Sequence, residues 1–296
     1  MLRELGHFVF FLLLLSFFSY SITSLRTQNR AYLYSETSVQ QEDLEQLQIR
    51  KGFWTGFVEY LQAMGQFSFG KTESGEDVVQ HITRRLSPSL ELAFFAIFFG
   101  SLTGIFCGLF CLYAQKKLVT SLLFTIAEAI LSTPIFVVAI LLLLLFFLKF
   151  PLLPPGGYEP YQISYLVLPG ISLGSRVFAR IFYYTYWEGE KEDATYYSFF
   201  LQSKGFSRAR IIFSHTFRKI IPLLLVFILL DFSSLLSGAI IVEEIFLYPG
   251  IGKSLYYAIK SMDENLLRAL LFYSGLIFYS FTRLAQVIQR KLSASP

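Results

Sequence analysis

Few residues in this 296-residue chain have the type and spacing that chemistry requires. Cys107 and Cys111 stand four positions apart inside an apolar run, without the nearby His or carboxylate that would complete a metal site. Helical neighbours at this spacing seldom reach disulfide geometry, so both sulfurs are predicted to pack. The histidines, His7, His81 and His215, are scattered. The sequence also lacks HExxH and a phosphate-binding glycine loop, so we predict no catalytic residues, metal site or bound cofactor in this chain.

The composition is that of a membrane protein. Hydrophobic residues make up 54% of the chain and charged residues only 16%, whereas a soluble domain has about 25% charged residues. The apolar residues also gather in runs that reach the roughly 20 residues needed to cross a bilayer. We therefore predict an all-α polytopic membrane protein.

Apolar runs predict six transmembrane helices. The runs are Phe8 to Leu25, Leu90 to Tyr113, Leu118 to Phe147, a run from Ile163, Pro222 to Val242, and Leu266 to Ile288. The first run is also compatible with a signal peptide, but its length favours a retained helix. Pro134 predicts a kink in the third run, because proline removes a helical hydrogen bond. Arg176 and Arg180 are predicted to mark the cytoplasmic end of the fourth.

The distribution of Lys and Arg predicts the orientation. Eleven of these residues fall on one side of the six predicted helices: Arg3, Lys116, Lys117, Lys191, Lys204, Arg208, Arg210, Arg218, Lys219, Arg290 and Lys291. The segment 26–88 is left out of the count, because long segments cross the membrane largely regardless of their charge. Three residues then fall on the other side: Lys149, Lys253 and Lys260. Because the side with more Lys and Arg faces the cytoplasm, both termini are predicted to be cytoplasmic.

A basic stretch from Tyr197 to Pro222 separates two apolar runs and contains a single glycine, Gly205. Its charges keep it out of hydrocarbon, and its apolar residues predict short helices that pack against another surface. Two interpretations follow from the residues alone. The stretch is either a solvated loop that sets topology by its charge, or a helical loop that meets a soluble partner.

Ionisable residues inside the apolar runs are candidates for a translocation path. Asp231 lies in the fifth run, where it either meets a substrate amine or forms a hydrogen bond with a nearby serine or a neighbouring helix. Glu128, in the third run, has the same two interpretations. A further set of residues follows the fifth run and predicts either an extracytoplasmic gate or a capped re-entrant turn: Glu243, Glu244, Tyr248, Pro249, Gly250 and Gly252.

Several ordered motifs resemble the inner-membrane permease subunits of bacterial ATP-binding-cassette importers, within the dipeptide/oligopeptide or nickel class. Ser132-Thr-Pro-Ile-Phe136 is similar to a motif in the third helix of that family. Ser203-Lys-Gly-Phe-Ser207, followed by His215, Arg218 and Pro222, resembles its EAA loop. The most specific similarity runs from Gly238 to Gly252. With the segments at residues 65–92 and 168–180, the resemblance covers roughly residues 60 to 270.

The resemblance implies a transport subunit of the type I importer architecture in the bacterial inner membrane. Short helices around Gly205 would couple this chain to separate ATPase subunits, which would bind ATP and Mg. The residues assigned to this coupling are Ser203, Lys204, Gly205, Phe206, Ser207, Arg210, His215, Arg218 and Pro222. The other partners implied are a second homologous permease, two ATPase subunits or domains, an extracytoplasmic solute-binding protein and membrane lipids, with no nucleic acid.

The predicted organisation divides the chain in sequence order. The divisions are a transmembrane helix at 1–25, an extracytoplasmic segment at 26–88, a permease core at 89–290 with a coupling loop at 185–221, and a tail at 291–296. The predicted cargo is a di- or oligopeptide, and nickel or another small solute is the alternative. A self-contained secondary transporter is the rival class, although neither inverted repeats nor paired ionisable residues are clear in the sequence.

Overall fold

The structure, a computed structural model, describes residues 2–27, 52–66, 68–160 and 162–293. Within these ranges the chain is helical, apart from turns and an isolated antiparallel bridge between Lys71 and Asp77. The all-α prediction is confirmed. Parts of the predicted segment 26–88 and of the tail 291–296 lie outside the described residues.

The helices are numbered in chain order. They are α1 (Leu2–Thr27), α2 (Phe53–Gly65), α3 (Val78–Ala114), α4 (Lys117–Ser132), α5 (Ile135–Lys149), α6 (Ser164–Asp193), α7 (Tyr196–Ser203), α8 (Arg208–Leu236), α9 (Ile240–Ile245), α10 (Ile251–Lys260) and α11 (Glu264–Ser293). Two of them contain a π-helical turn, at Leu144–Lys149 in α5 and at Ile211–Thr216 in α8.

The chain divides into two compact units. The first combines the described part of Met1–Leu86 with Ser254–Leu276. The second combines Ser87–Lys253 with the described part of Ile277–Pro296. Each unit is described by itself below.

In the first unit, α2 packs on α1 through aromatic rings. Tyr20 contacts Phe53 and Phe57 with ring centroids 5.2 and 5.6 Å apart. The residues of α11 in this unit also hold α1, because the Nε of Arg268 donates a hydrogen bond to Thr23 at 2.7 Å. Within this unit α1 is therefore packed against both α2 and α11.

In the second unit, α3 and α6 approach so closely that only glycine fits between them. A Cβ on Gly100 would lie 2.5 Å from the carbonyl oxygen of Gly174, and one on Gly104 would lie 2.8 Å from that of Phe178. A Cβ on Gly108 would lie 2.7 Å from the Cβ of Thr185. Small residues at four-residue spacing let membrane helices bring their backbones together, and van der Waals contact then stabilises the pair.

A break after Ser132 separates α4 from α5. The two helices meet at 107° across Thr133 and Pro134. Pro134 supplies no backbone N–H and restricts the residue before it to extended conformations, and Thr133 has a ψ of 132°. The predicted kink is confirmed, and it is sharp enough to divide the run into two helices.

Other predicted helix ends differ from the structure. Arg176 and Arg180 do not end the fourth helix, because α6 continues through them to Asp193. That prediction counted only the uncharged window, whereas helical hydrogen bonding continues into the polar segment beyond it. The fifth run does not reach Val242 as one helix. It ends at Leu236, and Gly238 then takes a φ of +128°, which breaks the helix.

Four described helices are long and apolar enough to cross a membrane. They are the Gly6–Ser24 part of α1, and α3, α6 and α8. A fifth span results if α4 and α5 are taken together as one bent span. The predicted sixth run lies in α11, which is not among these candidates. Several apolar helices fit a multi-pass membrane protein.

Candidate functional site

A cavity of about 420 Å³ opens in the second unit between α6 and α8. α6 contributes Arg176 and Arg180, and α8 contributes Asp231. The remaining lining is mostly apolar and consists of Ile135, Leu173, Val177, Ser234, Leu235, Gly238, Ala239, Ile240, Ile241 and Val242. An apolar cavity with a few convergent polar groups has the general form of a ligand site.

An ion pair crosses this cavity. Arg180 Nη2 lies 3.0 Å from Asp231 Oδ1. The Asp231 side chain is only 6% exposed, whereas that of Arg180 is 48% exposed. The other carboxylate oxygen, Oδ2, is buried and has no hydrogen-bond partner within the described part of the chain. The sequence offered a nearby serine or a neighbouring helix as the partner of Asp231, and the structure gives it an arginine from a neighbouring helix.

The second arginine holds the broken end of α4. Arg176 Nη2 donates a hydrogen bond to the carbonyl oxygen of Thr133 at 3.0 Å. That carbonyl lies at the helix break, where a helix end leaves carbonyl groups without intrahelical partners. The Nε of Arg176 is buried without a hydrogen-bond partner among the residues described. Arg176 therefore fixes the break and retains one unused donor.

Glu128 does not belong to this cavity. It is exposed on α4, where its carboxylate accepts a hydrogen bond from the Tyr183 hydroxyl at 3.1 Å. Because it is not among the lining residues, the two path candidates from the sequence, Glu128 and Asp231, are not brought together.

The residues predicted as an extracytoplasmic gate form a capped turn. The carboxylate of Glu243 accepts hydrogen bonds from the backbone N–H of Lys253 at 2.8 Å, from the N–H of Gly252, and from the Ser89 hydroxyl at 3.2 Å. Ser89 in turn accepts the N–H of Ile251 at 2.8 Å. Together these two side chains satisfy the free N–H groups at the start of α10.

Glu243 is itself deeply buried. Its removal from water raises the pKa of the carboxyl group from 4.5 to about 7, against the opposing effect of the N–H and hydroxyl donors. Gly250 leaves room for this carboxylate, because a Cβ there would lie 2.3 Å from Glu243 Oε2. These contacts describe the capped turn that the sequence offered as the alternative to a gate.

The other predicted gate residues surround this turn. Tyr248 is buried, with its ring 5.3 Å from that of Tyr158, and its hydroxyl has no hydrogen-bond partner in the described ranges. Glu244 and Pro249 are half-buried. Gly252 lies against the start of α9, where a Cβ would come within 2.7 Å of the Ile240 nitrogen.

Gly205 lies in the turn that ends α7. Its φ is +81°, and its N–H donates to the carbonyl of Gln202 at 2.9 Å. The N–H of Phe206 donates to the carbonyl of Leu201 at 3.2 Å. This hydrogen-bond pair is the Schellman motif, which favours glycine at the left-handed position. A Cβ on Gly205 would meet nothing within 4 Å, so the turn faces open space.

Cations and aromatic rings alternate around this turn. Arg210 lies over the ring of Phe206 at 5.6 Å, and the ring of His215 lies 5.6 Å from the same phenylalanine. Lys204 lies over Phe200 at 5.3 Å. Other predicted coupling residues, Ser203, Ser207 and Arg218, are exposed, whereas Pro222 is half-buried inside α8. A basic surface with exposed rings suits a protein partner better than water alone.

The loop is anchored to α6 and α3. Arg208 donates to the carbonyl of Leu112 at 2.8 Å and pairs with Asp193 at 3.2 Å. Arg208 was predicted only as a cytoplasmic charge, Ser89 had no predicted role, and Arg180 was predicted at the end of a helix that continues to Asp193. Arg180 and Asp231 carry opposite charges in two different apolar runs, and this was the sequence signal that could have predicted their ion pair.

Comparison with known proteins identifies relatives. Residues 100–294 match the family described as "Binding-protein-dependent transport system inner membrane component". The chain is 30% identical over 253 residues to the di/tripeptide transport system permease protein DppB of Pseudomonas aeruginosa, which covers 75% of this chain and 74% of that protein. It is 26% identical over 315 aligned positions to the oligopeptide transport system permease protein OppB of Mycobacterium tuberculosis, with coverage of 98% and 96%. It is also 26% identical over 229 residues to the glutathione transport system permease protein GsiC of Escherichia coli, with coverage of 76% and 73%.

Proposed function

Because this chain belongs to the family of inner-membrane components of binding-protein-dependent transport systems, we propose that it forms the translocation path of an ATP-driven peptide importer. The family match over residues 100–294 is the observation that carries this function. The similar proteins are named as permeases for di/tripeptides, oligopeptides and glutathione. The protein is a multi-pass transport subunit of the inner membrane rather than an enzyme.

The proposed topology has six membrane spans and both termini in the cytoplasm. It adds α11 to the five spans formed by α1, α3, the α4–α5 pair, α6 and α8. The domain boundaries at 1–25, 26–88, 89–290 and 291–296 follow from this topology. The excess of Lys and Arg on the side of the Gly205 turn supports it.

Cysteine labelling tests the topology. With Cys107 and Cys111 replaced by alanine, a cysteine at Ser74 should react with an impermeant thiol reagent added outside the cell. One at Ser207 should react only after the membrane is opened. Both positions are exposed in the structure, so access to the reagent depends on the side of the membrane. Outside labelling at Ser207 would contradict the topology.

We propose that the Gly205 turn couples this chain to ATPase subunits. The turn is exposed, carries cations and aromatic rings, and is anchored through Arg208 to the end of α6. Two ATPase subunits or domains would bind ATP and Mg, while a second permease would complete the path and an extracytoplasmic binding protein would deliver the peptide. The description of the family as part of a binding-protein-dependent transport system supports this proposal.

A glycine substitution with a matched control tests the coupling. Gly205→Val introduces a β-branched side chain at a φ of +81°, and such strain costs on the order of 1–3 kcal/mol. Gly75 has a φ of +83°, and a Cβ there also meets nothing within 4 Å. Gly75→Val therefore introduces the same kind of strain in a turn assigned to the other side of the membrane.

We expect both variants to insert into the membrane. Gly205→Val should lose ATPase association in mild detergent, substrate-stimulated ATP hydrolysis and peptide uptake, whereas Gly75→Val should retain ATPase association. If Gly205→Val keeps ATPase association and peptide uptake at wild-type levels, the stretch from Tyr197 to Pro222 is a solvated loop that sets topology by its charge. Co-purification of an ATPase also excludes the rival secondary transporter, and competition between labelled peptide and nickel distinguishes the two cargoes.

The remaining site residues have proposed places along the path. Asp231 lines the cavity, while Glu128 lies on an exposed face of α4, where a second permease would complete the path. The turn from Glu243 to Gly252 is proposed as the extracytoplasmic gate. In that gate, Glu243 and Ser89 would keep the start of α10 rigid while Glu244, Tyr248 and Pro249 meet peptide or binding protein.

A further inference from the structure

The cavity between α6 and α8 carries more positive than negative charge. Arg176 and Arg180 contribute two cations to its lining, and Asp231 contributes one anion. Because Arg180 already pairs with Asp231, the charge of Arg176 is not balanced by any other lining residue. A cavity with this balance attracts an anionic group. Asp231 considered alone would have suggested a cationic ligand.

Both arginines retain hydrogen-bond donors. A guanidinium has five N–H donors in a planar fork that matches the two oxygens of a carboxylate. Arg180 is nearly half exposed, and one of its nitrogens contacts Asp231. Arg176 uses one nitrogen to hold Thr133, and its buried Nε has no partner within the described residues.

The position of Arg180 requires a polar surrounding. It lies in the interior of α6, a helix long and apolar enough to cross the membrane. A charge exposed at such a position is expensive in hydrocarbon, so charged residues there face the bundle interior or a water-filled cavity. The cavity beside Asp231 provides that surrounding for Arg180.

The rest of the lining is mostly apolar. Leu173, Val177, Leu235, Ile240 and Ile241 supply most of this surface. Such a surface accepts different apolar groups with little discrimination, because one methylene changes binding only modestly. The volume of about 420 Å³ lies within the range of small-molecule sites. The cavity therefore combines a fixed anion-binding end with a tolerant wall.

We propose that this cavity binds the terminal carboxylate of the peptide in transit. Arg180 supplies the main contact and Arg176 the second, while the apolar wall accommodates the neighbouring side chain. This inference rests on the proposed transport of peptides and adds the part of the peptide that the path recognises. Asp231 acts as a positioning residue, because it orients Arg180 when no carboxylate is bound.

Exchange between Asp231 and the peptide would keep binding reversible. As the peptide carboxylate approaches, it competes with Asp231 for the same guanidinium. As the peptide leaves, Asp231 pairs again, so Arg180 is never left without an anion. Conduction requires binding that is weak enough for release. Removing Asp231 should therefore tighten binding and slow release.

Uptake by reconstituted complexes tests the proposal. The complete importer is placed in proteoliposomes, and uptake of trialanine is compared with uptake of its C-terminal amide. The uptake rate of each variant is divided by the wild-type rate for the same peptide, so that the preference of the binding protein for one peptide cancels. Arg180→Gln should lower trialanine uptake about tenfold, which corresponds to a loss of about 1.4 kcal/mol in binding free energy. It should change uptake of the amide by less than about twofold.

Kinetic constants separate contact from positioning. Arg180→Gln should raise the KM for trialanine, whereas Asp231→Asn should lower both KM and the maximal rate. Arg84→Gln is the matched control, because Arg84 forms an ion pair of the same 3.0 Å length with Glu76 outside the cavity. Arg84→Gln should leave the ratio of trialanine to amide uptake unchanged.

Charge restoration after assembly gives a second, independent test. Arg180→Cys is placed in a chain with Cys107→Ala and Cys111→Ala, and the complex is assembled before modification. A thiosulfonate reagent that attaches an aminoethyl cation should restore trialanine uptake, whereas one that attaches a sulfonatoethyl anion should not. Equal effects of the two reagents would overturn the proposal, and so would failure of the cation to restore uptake.

The outcomes distinguish this proposal from the proposed function. If Arg180→Gln lowers uptake of both peptides equally, the chain still transports peptides but the cavity does not select carboxylates. If the wild-type complex hydrolyses ATP without taking up either peptide, peptide transport itself is contradicted. If trialanine alone enters through wild type, charge restoration at position 180 decides the proposal.

Discussion

Two buried carboxylates in the second unit are held in different ways. Glu243 receives two backbone N–H groups from the start of α10 and the hydroxyl of Ser89 from α3. Asp231 receives one guanidinium and keeps one oxygen without a partner among the described residues. Backbone donors cannot leave while the helix persists, whereas an arginine side chain can turn away.

This difference separates a structural carboxylate from an exchangeable one. The hydrogen bonds of Glu243 form when the chain folds and break only when the start of α10 unfolds. Among the described residues, the side-chain partner of Asp231 is Arg180, which itself borders the cavity. The mid-membrane position of an acid is therefore a weaker guide to function than the number of fixed donors around it.

The largest expected effect on stability is that of Glu243→Ala. It removes the acceptor for the N–H groups of Gly252 and Lys253, and each buried donor left unpaired costs about 1–3 kcal/mol. We expect a clear loss of thermal stability in detergent, measured by tryptophan fluorescence. Glu244→Ala is the control, because Glu244 is half-buried and its Oε2 has no partner in the described part of the chain. Equal losses in the two variants would contradict the comparison.

The pH dependence of stability should be smaller and should depend on Glu243. Its folded-state pKa is raised from 4.5 to about 7, so the folded state favours the protonated acid. The stability from this group is fully present below 4.5 and is lost as pH rises towards 7. Wild-type Tm should therefore fall relative to Glu243→Gln between pH 5 and 8, while Glu244→Gln should follow wild type.

Asp231→Asn should have the smallest effect on stability and a large effect on transport. Interhelical hydrogen bonds in membranes average about 0.6 kcal/mol, and Asn keeps the shape of the side chain. We expect nearly normal assembly and Tm, with lower peptide uptake. Loss of the folded complex, or unchanged uptake, would place Asp231 with Glu243 among the structural carboxylates.

Local features of the fold were predictable because they depend on neighbours in the sequence. Pro134 predicted the break between α4 and α5, and Gly205 predicted a turn between short helices. The apolar runs located the cores of α1, α3, α6 and α8. Their ends were less predictable, since Arg176 and Arg180 ended the uncharged window but not the helix.

Contacts across the chain were not predictable from local patterns. Arg180 and Asp231 meet only because α6 packs on α8 at one particular register. Ser89 and Glu243 are still farther apart in the sequence, and a serine hydroxyl has many possible partners. The type of each residue indicated that it needs a partner, but only the packing of the helices identifies that partner.

The backbone contact between α3 and α6 has a mechanical consequence. Where Gly100 and Gly104 meet the carbonyl groups of α6, there is no layer of side chains that could compress or shift. We therefore expect α3 and α6 to move together as one rigid body. Arg180 and Asp193 both lie in α6, and the helical rise of 1.5 Å per residue places them about 20 Å apart along its axis. A displacement of the Gly205 turn, transmitted through the Arg208–Asp193 ion pair to the end of α6, would therefore also displace Arg180.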